Sequence, residues 1–301
     1  MGKSNNTNPQ PSLDWRTLAA GLLTVTLFAS AFVGIRVSLR CYSPQSIALL
    51  RYLTASILLA LFALAGKIPM PAWRDLPGLA FCGLMGFTIY NIALNMGEIR
   101  VPAGTASLVI ASAPIFVALL AVIFYKERVA AWVWLGILVS FLGVAFISIE
   151  PGEKLGLSPR VLLVLLAAIS AAIYTVSQKP FLAKYAPFQF VAYAIWTGTL
   201  LLLSFMPGLI RDLQTAQTVQ TLAVIYMGIF PGVIGYASWS YVISRLPASR
   251  AGSFLYLTPA ITILIAWVWL DELPRLRSVF GGILVLLGVI LVQLVRSKKR
   301  S

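Results

Sequence analysis

The sequence predicts an all-α integral membrane fold, with ten transmembrane helices arranged as two inverted five-helix repeats. Three observations carry that prediction. First, of 301 residues, 59% are hydrophobic and 11% are charged, with a mean hydropathy of +0.90. A soluble domain carries about 25% charged residues, so this chain has too few to cover a water-facing surface. Second, ten stretches are apolar over the roughly 20 residues needed to cross a hydrocarbon core. Third, the two halves of the chain match each other at a fixed offset.

In chain order, residues 1–14 form a polar tail rich in Pro and Asn. The tail lacks the basic-then-apolar order of a signal peptide, and Asn6 stands where a myristoylation pattern requires Ser or Thr. The expected spans are 17–36, 43–65, 75–97, 102–124, 130–149, 161–179, 188–206, 219–243, 248–270 and 276–296. Ser43-Pro44, the Pro69 and Pro71 stretch, Glu150-Pro151-Gly152 and Pro207-Gly208 read as the turns or loops between spans. The expected organisation is a cytoplasmic tail over 1–14, repeat one over 15–150, repeat two over 151–296 and a basic cytoplasmic tail over 297–301. No gap holds a soluble domain and no phosphate-loop motif occurs, so function is expected inside the helix bundle.

Charge orients the bundle. Lys and Arg number 23 against 9 Asp and Glu, a net charge of +14. In a soluble chain such a balance points to nucleic acid. Here ten spans place both termini on one side, and that side carries 14 Lys and Arg against 8 on the other, with Arg51 inside span two. The excess predicts cytoplasmic termini, with lipid rather than nucleic acid as the surrounding partner. There is no His, and the two cysteines fall in a loop (Cys41) and a helix (Cys82). No disulfide, metal site or cofactor is expected from that inventory.

The repeat rests on residues that rarely match by accident. Pro102, Ala103, Ala106, Pro114, Glu127, Gly136, Gly143 and Val144 recur as Pro247, Ala248, Ala251, Pro259, Glu272, Gly281, Gly288 and Val289, all at an offset of 145. Gly83 and Gly228 keep the same offset, and Ser43-Pro44 aligns with Ala186-Pro187 near 143. Five spans per half is an odd number, so the second half enters the membrane from the opposite side. Substrate sites of such inverted repeats lie near the midplane, and the halves rock to expose them alternately.

These segments resemble the EamA-type members of the drug/metabolite transporter superfamily. The resemblance is carried by Val101 to Ser107, Ala113-Pro114, Lys126-Glu127-Arg128, Leu135-Gly136 and Leu142-Gly143, and in the second half by Leu246 to Gly252, Thr258-Pro259, Asp271-Glu272 and Gly281 to Gly288. Arg51-Tyr52 also looks like that family's pattern, and Ser249 and Asp271 depart from their counterparts Gly104 and Lys126. The resemblance implies a secondary transporter of small metabolites in a bacterial inner membrane, with amino-acid export, aromatic amino acids included, as the leading subtype. A multidrug or cation efflux carrier of the same fold is the alternative.

Candidate substrate contacts are the polar and aromatic groups inside spans, because polar groups in lipid are costly and face the bundle interior. Asn91 and Asn95 share one face of span three beside Tyr90. Tyr174 and Gln178 lie on a stripe of span six, Trp239 and Tyr241 in span eight, and Tyr256 and Thr258 in span nine. Helix–helix hydrogen bonding is the competing role for each. Pro114 and Pro259, near the middle of spans four and nine, are candidate gating kinks. Arg51 either pairs with a substrate carboxylate or snorkels to the interface. The acids all sit at span ends, in loops or in the tail, with Glu98 nearest a cavity mouth. Glu127 and Glu272 are expected to cap helices or pair with Arg in their loops. Without a central acid or His, exchange or facilitated diffusion is expected rather than strong proton coupling. A channel is disfavoured because pores are usually built by oligomeric symmetry. An enzyme is disfavoured because acid–base groups are missing. A single chain suffices for transport in this scheme.

Overall fold

The computed structural model describes residues 14–66, 68–125, 131–148, 158–246, 251–252 and 254–298, and every regular element among them is helical. Six segments are long and apolar enough to cross a membrane: Trp15–Ser38, Pro44–Leu64, Trp73–Glu98, Pro159–Leu182, Pro187–Thr215 and Thr218–Arg245. In chain order these are spans one, two, three, six, seven and eight. Shorter apolar helices at Ala103–Val117, Trp134–Ile147, Leu255–Leu270 and Leu276–Leu291 supply spans four, five, nine and ten. The chain is an all-α integral membrane protein.

Local chemistry sets several helix starts. Asp14 caps span one by accepting the Thr17 N–H at 3.0 Å. Ser43 caps span two with Pro44 in its first turn, where the missing N–H costs nothing. Cys41 and Cys82 are both free thiols.

Two expectations are corrected. Pro207-Gly208 is not a loop. After a single turn at Leu203–Phe205 the chain continues as a helix over Met206–Thr215 with Pro207 in its first turn. The fixed φ of proline favours that position and breaks a helix only further in. Pro114 and Pro259 do not kink continuous helices either. Span four stops at Ile110 and restarts at Ala113, and Thr258–Leu270 starts afresh after the turn at Leu255–Leu257. Each proline opens a half-helix, for the same reason.

The two halves are related by atoms as well as by sequence. Ser140 of span five donates to the carbonyl of Val285 in span ten at 2.8 Å, its own counterpart at an offset of 145. A Cβ on Gly143 would lie 2.5 Å from the Gly281 carbonyl oxygen, and one on Gly281 would lie 2.7 Å from that of Gly143. Gly288 meets the Gly136 carbonyl in the same way. Numbers rise along one helix as they fall along the other, so equivalent helices cross antiparallel about equivalent residues. Only a two-fold axis across the span direction does this, which makes the repeats inverted. The other packings come in matched sets. Span three lies on six as eight lies on one, three on seven as eight on two, and one on nine as six on four.

Candidate functional site

The centre of the bundle is built where spans three and eight depart from α-helical geometry. Leu84–Ile89 and Gly228–Gly235 are both π-helical, and the first falls inside the second when shifted by the repeat offset. In span eight the cause is visible. Pro231 has no N–H and crowds the carbonyl four residues back, and a widened turn relieves the clash. At the matched place in span three stands Gly86, where a Cβ would lie 2.5 Å from the Tyr174 ring.

The two widened turns bring aromatic rings together. Phe87, fully buried in the first, is the hub. Its centroid lies 4.8 Å from Tyr236, 5.1 Å from Tyr52 and 5.5 Å from Tyr174. Such edge-on and tilted arrangements are favourable beyond the area they bury. The Tyr236 hydroxyl points at the Gly86 carbonyl at 3.5 Å.

A polar network adjoins this cluster. Asn91, fully buried, donates to the Tyr52 hydroxyl at 2.8 Å and to the Phe87 carbonyl at 3.0 Å. Its Oδ1 accepts from Arg51 Nη1 at 3.1 Å. The Arg51 guanidinium lies 5.3 Å from the Tyr52 ring centroid and is 3% exposed, so the snorkelling expectation is corrected. A ready acceptor and an aromatic face retain it inside the bundle. One turn along, Asn95 donates to the Pro44 carbonyl at 2.9 Å, and its Oδ1 has no partner.

The other sequence candidates are spread more widely. Tyr174 is buried in the aromatic cluster with its hydroxyl unpartnered, and Tyr90 is half-buried against the same core. Gln178, on the same helix as Tyr174, accepts from Ser240 at 3.1 Å and leaves its Nε2 without a partner. Tyr256 and Thr258 carry unpartnered buried hydroxyls at the opening of the span-nine half-helix. Trp239 is buried, but in a separate cluster with Val242, Ile243, Leu246 and Ala251. Tyr241 lies beside Arg245 at 5.3 Å, near the end of span eight, and is not brought to the centre. Phe87 and Tyr52 are not among the sequence candidates; the only signal at Tyr52 is its place in the Arg51-Tyr52 pair, and Phe87 has none that distinguishes it from core aromatics.

Charges close the bundle at both ends. Arg36 of span one holds Glu272 through Nε at 3.0 Å and Nη2 at 2.7 Å, and its Nη1 donates to the Glu98 carbonyl oxygen at 2.7 Å. Glu272 therefore pairs with an Arg of span one rather than with one in its own loop, while Glu127 lies outside the described residues. Glu98 itself is fully buried, and neither of its carboxyl oxygens has a hydrogen-bond partner. At the opposite end Asp75 binds Lys184 at 2.9 Å and the Tyr185 hydroxyl at 2.6 Å. That bond to Asp75 holds the Lys184 ammonium above its ordinary pKa. Among the described residues no three His, Cys, Asp or Glu side chains cluster as metal ligands would.

The model of the EamA-like transporter family matches twice, over residues 15–149 and 158–294. The uncharacterized transporter YdfC of Bacillus subtilis is 42% identical over 89% of this chain and 87% of its own. A probable terminal-alkyne amino-acid exporter of Streptantibioticus cattleyicolor is 39% identical over 90% of this chain and 91% of its own. A solved crystal structure aligns with a TM-score of 0.64 over 96% of this chain and 99% of that one, at 18% identity, which shows the shared fold alone.

Proposed function

The chain belongs to the EamA-like transporter family, and from that premise we propose that it is a secondary exporter of small metabolites, amino acids including aromatic ones foremost. In this reading the substrate binds near the midplane and the inverted halves rock around it, with Pro114 and Pro259 at the joints between half-helices. The carrying observation is the pairing of a buried guanidinium with Asn91 beside the Phe87, Tyr174 and Tyr236 rings. A cation for a carboxylate next to a cluster of aromatic rings suits an amphipathic acid. The amino-acid exporter among the relatives supports the same class. Excess Lys and Arg on the side of the termini supports an orientation with both in the cytoplasm, and the bacterial transporters among the relatives favour a bacterial inner membrane. One chain contains the whole network, so a monomer is sufficient.

The same rings would also hold an organic cation, so cationic drugs belong in the test. The purified full chain, reconstituted in liposomes, is screened for flux of labelled amino acids and cationic drugs with and without a proton gradient. Saturable amino-acid flux is the expected result. Flux of cations alone would replace the reading with the efflux alternative, and linear flux of any solute would point to a channel.

A further inference from the structure

The function proposed above uses Arg51 but leaves the most unusual group in the bundle without a role. Glu98 is fully buried, and both of its carboxyl oxygens lack a hydrogen-bond partner. Buried carboxylates are normally paired, because an unpaired one bears the whole cost of leaving water. The nearest guanidinium does not supply the pairing. Arg36 spends Nε and Nη2 on Glu272 and gives its Nη1 to the Glu98 main chain. Arg160, on the facing span six, donates to the Met96 carbonyl at 3.0 Å. Arg51, on the facing span two, makes no ion pair with Glu98, and its Nε is itself unpartnered. The charged groups whose fields reach the Glu98 carboxyl are Arg36, Glu272 and Arg51, with Tyr90 on its own span.

Asn91, Asn95 and Glu98 recur at intervals of four and three, so they line one face of span three. Asn91 holds Arg51, Asn95 offers an unpartnered Oδ1 one turn along, and Glu98 ends the line. The rise from Asn91 to Glu98 is about 10 Å, and a helical side chain leans back toward the N-terminal turn. An axial separation of that order, between the Asn91 amide that holds Arg51 and the Glu98 carboxyl, matches one α-amino-acid backbone with a hydrogen bond of about 2.8 Å at each end.

We propose that Arg51 and Glu98 are the two poles of a zwitterion site, Arg51 receiving the α-carboxylate and Glu98 the α-ammonium of a free amino acid. The Asn95 Oδ1 is a second acceptor for the ammonium. This assignment rests on the amino-acid reading above and sharpens it. The site selects against cations, which lack a partner for Arg51, and against simple carboxylates, which leave Glu98 uncompensated.

The test is competition in proteoliposomes holding the full chain. Counterflow of labelled L-phenylalanine and L-leucine is challenged with each unlabelled acid, its N-acetyl derivative and its carboxamide. Both derivatives should compete at least roughly tenfold more weakly than the parent acid, the loss expected for one charge-assisted hydrogen bond. Glu98→Gln should erase the discrimination against the N-acetyl derivative while keeping that against the carboxamide, and Arg51→Gln should do the reverse. Each ratio is measured within one variant, so a loss of folded protein does not mimic it. Equal weakening of all three compounds in Glu98→Gln overturns the zwitterion site while leaving amino-acid transport standing. So does unchanged affinity accompanied by loss of acceleration by a proton gradient, which would make Glu98 a proton carrier. Transport of neither acid, with flux of cations instead, overturns the functional reading and the site together.

Discussion

Replacing Asn91 by Leu tests the polar network at its most connected point. The substitution deletes three hydrogen bonds, to Arg51, Tyr52 and the Phe87 carbonyl. Two of them cross between spans, and interhelical bonds within membrane bundles average about 0.6 kcal/mol each, so their loss alone amounts to roughly 1 kcal/mol. The larger effect is on Arg51, which is 3% exposed and has no other hydrogen-bond acceptor among the described residues. Stripping the partner from a buried charge costs about 3–5 kcal/mol, so the total loss is roughly 5 kcal/mol. If that is the mechanism, Arg51→Leu in the Asn91→Leu background should be far less damaging than in the parent. The expected coupling is about 2–3 kcal/mol, typical of residues in one network. The assay is the thermal inactivation rate of the parent, both single variants and the double variant in the same detergent. Additive effects, or an Asn91→Leu variant as durable as the parent, would refute the reasoning.

Three further outcomes follow from the geometry. Gly143→Leu and Gly281→Leu should each abolish accumulation of folded protein, because a Cβ at either site already meets the partner backbone; Gly66→Ala, at φ +71° with open space around it, should cost only about 1 kcal/mol. Fluorescence-detected size exclusion separates these cases. Arg36→Glu should disrupt closure of the bundle end and Arg36→Glu with Glu272→Arg should partly restore it, read as the exchange rate of labelled substrate; failure of the swap would show that the Glu98 carbonyl contact matters more than the ion pair. Lys184 is held above its ordinary pKa by Asp75, so its contribution is complete below the unfolded value of about 10.4 and is lost only as pH rises through the raised one. The difference in thermal stability between the parent and Lys184→Met should therefore be constant from pH 6 to about 9, and a difference that vanished in that window would contradict the contact.

The fold was legible because its signals are additive and local. Apolar length marks a span wherever it occurs, and Pro114 with Pro259, or Gly143 with Gly288, repeat at one offset however the helices pack. The Asn91 and Asn95 face was readable from helical spacing. Other features depend on neighbours distant in sequence. The burial of Glu98 requires spans one and six to cover the end of span three, and its number alone places it only at a span end. Arg51 snorkels or stays according to whether an acceptor meets it, and Asn91 is forty residues away. The widened turns left one trace, Gly86 and Pro231 at matched positions, which reads as ordinary punctuation until both are seen to be π-helical. Pro207 was misread because a proline ends one helix and begins another with equal ease.

The central claim is that inverted halves expose a single internal site alternately, and trans-stimulation tests it most directly. Liposomes containing the purified chain are loaded with unlabelled amino acid, and entry of the same labelled acid is timed against empty liposomes. The account predicts faster, saturable entry into the loaded liposomes, because a site returned with substrate bound reappears outside ready to exchange. Entry that rises linearly with concentration and is indifferent to the internal load would contradict it.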